Sequence, residues 1–132
     1  MTASPNRLTA IVVGALYLLL GIGGFAVTTA IGFVEVPGGL LFGIFEVNGL
    51  HNLVHVAIGA ALLVAGLAGA RAAKAADSAV GTICLILGLF GLFVVGTPLN
   101  ILAINGADNV LHFGTSVLLL GAGLGAERTK PA

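Results

Sequence analysis

The sequence predicts an all-α membrane protein, a bundle of four transmembrane helices. Of its 132 residues, 58% are hydrophobic and only 8% are charged. A soluble domain is about 45–50% apolar and about 25% charged. Four apolar stretches approach the length of about 20 residues that crosses a bilayer core, and none contains Lys, Arg, Asp or Glu. So much apolar surface also excludes a disordered chain. Five basic residues cancel five acidic ones, which leaves no basic face for nucleic acid. The expected partner is the lipid bilayer, and a homo-oligomer or larger membrane complex is compatible with it. The single cysteine, Cys84, excludes an internal disulfide and matches no Cys-rich metal pattern.

The first span runs from Leu8 to Val27, the second from about Leu50 to Ala70, the third from about Ser78 to Val95, and the fourth from about Asn109 to Ala126. Arg7 before span one resembles the basic flank of a signal peptide, but the apolar run is long enough to span and is read as an uncleaved helix. Arg7, Arg71, Lys74, Arg128 and Lys130 all fall on one side of an even-numbered bundle. Short loops rich in Lys and Arg stay in the cytoplasm. Both termini are therefore expected there, with Glu35, Glu46 and Asp108 toward the outside. The outer segments Gly39–Phe45 and Leu99–Ile104 are apolar but too short to span, and are expected to be interfacial or re-entrant.

The chain contains an internal repeat. Asn48-Gly-Leu-His-Asn-Leu-Val-His55 returns as Asn105-Gly-Ala-Asp-Asn-Val-Leu-His112, an offset of 57 positions. Gly14, Leu18, Leu20, Gly21 and Gly24 meet Gly81, Leu85, Leu87, Gly88 and Gly91 at an offset of 67. The ten-residue difference is an insertion around Gly32 to Leu41. One membrane domain over residues 1–132 is expected, with repeat one at about 8–71 and repeat two at about 78–128. Two-span repeats lie parallel about an axis along the membrane normal, so equivalent residues share a depth.

That symmetry gathers the scarce polar residues into one outer layer. All three histidines, His51, His55 and His112, lie there with Asn48, Asn52, Asn100, Asn105 and Asn109. Asn48 and Asn105 suit helix N-caps. His51 and His55 are four apart, as are Asp108 and His112, and an i, i+4 pair on one helix face suits metal ligation. His51, His55, Asp108 and His112 are thus a candidate metal set for zinc, copper or iron. A second version uses His55 and His112 as axial ligands of haem b, with Asn52 and Asn109 orienting the imidazoles. Gly59, Gly66, Ser116 and Gly123 allow close helix approach or leave room for a flat ligand. Against these stands a structural reading, in which Asn and His hydrogen-bond across helices and only lock the fold of a scaffold or accessory subunit. A small transporter or channel is a third reading. No Ser-His-Asp or Cys-His nucleophile pattern is present, so no catalytic residue is assigned. Tyr17 and Cys84 read as packing residues.

The phrase from Gly43 to His55, with its partner from Asn105 to His112, resembles a family of small bacterial four-helix membrane proteins catalogued only as a domain of unknown function. The resemblance covers roughly residues 8 to 126. It implies a multi-pass protein of the bacterial inner membrane and supplies no activity or cofactor.

Overall fold

The computed structural model describes residues 4–126. Helix α1 (Pro5–Val27) starts with Ser4 accepting the Arg7 backbone N–H at 3.3 Å and with proline in its first turn, where the missing N–H costs nothing. A small antiparallel hairpin follows, β1 (Gly39–Leu41) and β2 (Phe45–Val47). Then come α2 (Gly49–Ala68), α3 (Ala70–Val94) and α4 (Gly106–Gly121), the last continued by a π-helical stretch over Ala122–Ala126. Helices α1, α2 and α3 are long and apolar enough to cross a membrane. The α-helical part of α4 is shorter, 16 residues or about 24 Å.

Two elements differ from the sequence expectation. Helix α3 begins at Ala70 rather than near Ser78, because Ala70-Arg-Ala-Ala-Lys-Ala-Ala76 consists of strong helix formers. Gly69 alone joins α2 to α3, at φ +148° and ψ 173°, a backbone conformation open essentially to glycine. The segment from Gly39 is not a re-entrant stretch but the hairpin. Phe42 and Gly43 both take positive φ at its tip, as the central residues of a type I′ turn do.

Helix α1 packs chiefly on α2, and α3 on α4. The contacts recur at the offsets 67 and 57. A Cβ on Gly14 would meet Leu63 N at 2.7 Å and Leu62 Cβ at 3.1 Å; one on Gly81 would meet Leu120 N at 3.0 Å and Leu119 Cβ at 3.1 Å. Gly24 is covered by the Asn52 amide, and Gly91 by the Asn109 amide. Tyr17, Leu62, Cys84 and Leu119 meet in the buried core. Ala57 and Ala61 of α2 face outward. Arg7 Nε donates to the Gly66 carbonyl at 2.9 Å, which puts Arg7 at the same end of the bundle as the α2–α3 junction, where Arg71 and Lys74 begin α3. Arg128 and Lys130 lie outside the described residues.

Candidate metal centre at the ends of α2 and α4

The polar layer is positioned by two matched helix starts. Asn48 and Asn105 are the N-caps of α2 and α4, at φ/ψ of −131/−176° and −119/−176°. The His51 N–H donates to Asn48 Oδ1 at 3.0 Å, and the Asp108 N–H to Asn105 Oδ1 at 3.0 Å. Each cap amide then reaches into the other half. Asn48 Nδ2 donates to the Ile101 carbonyl at 2.9 Å, and Asn105 Nδ2 to the Ile44 carbonyl at 2.8 Å. Ile44 and Ile101 are themselves 57 apart. Such reciprocity is what a two-fold relation imposes on an interface. Asn100 closes the second outer loop, donating to the Ile104 carbonyl and accepting its N–H, both at 2.8 Å.

Inside this frame the three imidazoles meet. His51, His55 and His112 are each about 1% exposed, and each can offer a ring nitrogen within 4.8 Å of the others. His51 Nε2 and His55 Nε2 are 3.1 Å apart. Two nitrogens bound at about 2.0–2.1 Å to one tetrahedral zinc stand about 3.3 Å apart, so this pair already has the spacing of a ligand edge. Among the described residues the His112 ring makes no hydrogen bond at either nitrogen, and Nδ1 of His51 and His55 makes none. Buried polar atoms are rarely left so. The Leu102 and Glu46 backbone carbonyls lie near the His51 ring, where they suit the outward-facing N–H of a metal-bound imidazole.

The remaining expected site residues lie elsewhere. The Asn105 N–H donates to Asp108 Oδ2 at 2.9 Å, closing a capping box with Asn105, and Asp108 stands outside the three-histidine group. Its equivalent in the other half is His51, at an offset of 57. Asn52 Nδ2 donates to Thr28 Oγ1 at 3.0 Å. Asn52 and Asn109 cover Gly24 and Gly91, with no hydrogen bond to an imidazole among the described residues. Gly59, Gly66 and Gly123 are closed by α1 and α3: a Cβ there would meet Leu18 N, Ile11 and Ser78 respectively. Close helix approach therefore uses the small residues, and no slot for a flat ligand opens beside them. The rings oppose a haem as well. Centroids of His55 and His112 are 5.8 Å apart, and His51 lies 4.4 Å from one and 5.7 Å from the other. The third imidazole sits where a porphyrin between the first two would have to pass. The residues do not fit haem b; the three ring nitrogens lie close enough together to hold a single ion.

Sequence reasoning missed Tyr17. Its ring meets His55 edge-on at 5.1 Å, and its hydroxyl donates to Thr115 Oγ1 at 2.9 Å and lies 3.8 Å from Cys84 Sγ. The signal was available, since Tyr17 and Cys84 are 67 apart and so are equivalent residues facing each other across the halves. Glu35 and Glu46, expected toward the outside, accept the backbone N–H groups of Gly32 and Gly38 at 2.6 and 2.8 Å.

Fold and site together define a small helical protein of membrane-spanning type with a buried three-histidine cluster at the capped ends of two helices. The chain belongs to the family described as a domain of unknown function, DUF4383, whose model matches residues 7–125. No curated protein and no solved structure matches it.

Proposed function

We propose that this is a four-span protein of the bacterial inner membrane, with both termini cytoplasmic, that binds one transition-metal ion through His51, His55 and His112 at its outer end. The observation that carries the reading is the convergence of three buried imidazoles with unpartnered ring nitrogens. Neutral imidazole is a ligand for zinc, copper and iron, and an ion at the His51 Nε2–His55 Nε2 edge would also partner one nitrogen of the His112 ring, which makes no hydrogen bond among the described residues. Orientation follows from the basic residues at the α2–α3 end, and α4 completes the fourth span through its π-helical extension. The test is elemental analysis of protein purified from membranes, beside a His55→Gln, His112→Gln variant. Stoichiometric metal lost in the variant supports the site, and metal at background in both refutes it.

The scaffold reading is favoured by one observation of its own, the reciprocal hydrogen bonds of Asn48 and Asn105. The asparagines serve the fold and the histidines serve the ion. A transport path has less support, because Leu62 and Leu119, both fully buried, close the core beneath the polar layer.

A further inference from the structure

We infer that the three-histidine site selects a singly charged, copper-type ion, Cu(I), over Zn(II); this rests on the metal-binding reading above. Charge is the first argument. All three donors are imidazoles, and among the described residues no carboxylate belongs to the group. Glu46 is held by the Gly38 N–H, and Asp108 Oδ2 by the Asn105 N–H. Among the described residues no carboxylate therefore stands with the three rings to offset a second positive charge. Placing a charge in an apolar interior costs free energy that grows as its square, about four times more for a divalent ion than for a monovalent one. The cluster is enclosed, with each histidine about 1% exposed and apolar Val47, Leu62, Ile104 and Leu119 among the buried side chains of the core.

The helices add to this. Both α2 and α4 begin at the cluster, and the first turn of α2 holds no acidic residue. The positive ends of two helix dipoles oppose a cation in proportion to its charge. Donor count is the third argument. Among the described residues three side-chain donors converge and no fourth joins them. Zinc in a three-ligand site completes its tetrahedron with water or substrate, whereas Cu(I) is stable with three nitrogen donors and needs no water in the enclosed site.

The experiment uses the full-length protein, stripped of metal and reconstituted in lipid nanodiscs. It is titrated anaerobically with Cu(I) against a chromophoric Cu(I) chelator, with Ag(I) as a redox-inert monovalent probe, and with Zn(II). Cu(I) and Ag(I) are each expected to saturate at about one ion per chain, with Zn(II) at least ~10-fold weaker, a difference of about 1.4 kcal/mol. The copper K-edge spectrum of the wild-type protein should report three nitrogen donors, a readout that needs no variant to fold. His112→Gln should lose the Cu(I) site while its helical circular dichroism is unchanged. Zn(II) binding as tight as Cu(I), or a four-coordinate copper spectrum with an oxygen donor, overturns the inference and leaves the metal-binding reading standing. Failure of all three ions to bind overturns both.

Discussion

Asn48 and Asn105 cap equivalent helices with the same geometry and clasp equivalent carbonyls of the opposite half. Three residues further on, the equivalence breaks: repeat one has His51 and repeat two has Asp108. The former joins the imidazole cluster, and the latter closes a capping box. A similar break separates Asn52, whose Nδ2 donates to Thr28 Oγ1, from its equivalent Asn109, because repeat two has Val95 at the position of Thr28; the Oδ1 atoms of both asparagines lack a partner among the described residues. The two halves thus share the residues that set backbone and helix contact, and differ in those that set local chemistry. A two-fold frame offers two copies of each position, so a centre on its axis gets an even number of ligands unless one copy is replaced. Replacement by Asp108 is what leaves three.

The largest effect that would break this comparison is at His55 and His112, the pair both halves supply. On the proposed metal-binding reading each is a direct ligand, so changing both to Ala should reduce bound metal from about one ion per chain to background, measured by elemental analysis. Retained metal in that variant would assign the ligands elsewhere. Next are the glycines under the asparagine amides. Gly24→Ala and Gly91→Ala should each destabilise the protein by about 1–3 kcal/mol in denaturant unfolding, as overpacking does. Gly114→Ala, with open space around it in the interior of α4, should instead stabilise by up to about 1 kcal/mol, as Ala does over Gly in a helix. Equal effects at all three positions would contradict the packing described.

This packing shows how the sequence is legible. The offsets of 67 and 57 between like residues anticipate which glycines meet which side chains, and the Asn-cap positions follow from residue type at the start of an apolar run. The hairpin was not legible, because its turn depends on a positive φ at Phe42, a conformation few sequences would advertise with phenylalanine. Nor was the fate of Asp108. Spacing alone puts it four residues before His112, as His51 precedes His55, and only three-dimensional contact shows its carboxylate spent on the Asn105 N–H. Asn52 and Asn109 share the depth of the histidines yet face the glycines of α1 and α3, a distinction of helix face that depth alone does not make.

Smaller effects sharpen the comparison of the caps. Asn48→Ala and Asn105→Ala should each cost about 1–2 kcal/mol by loss of a cap, measured by unfolding in detergent. Asn48 should cost more, because it is fully buried and its amide also reaches the Glu35 carbonyl at 3.3 Å. The reverse order would mean that the hairpin contact of Asn105 outweighs burial. The smallest effect is expected of Asp108→Asn, which keeps an acceptor for the Asn105 N–H. Stability should change by less than about 0.5 kcal/mol, with metal stoichiometry unchanged. Loss of metal there would make Asp108 a ligand and the cluster a four-donor site.

The most direct test of the central claim is the metal content of the wild-type protein, taken from membranes in mild detergent and measured by mass spectrometry of the elements. Three converging imidazoles predict about one transition-metal ion per chain, retained through gel filtration. Background metal, both as purified and after loading with copper and zinc, would contradict the account and leave the histidines as part of the fold alone.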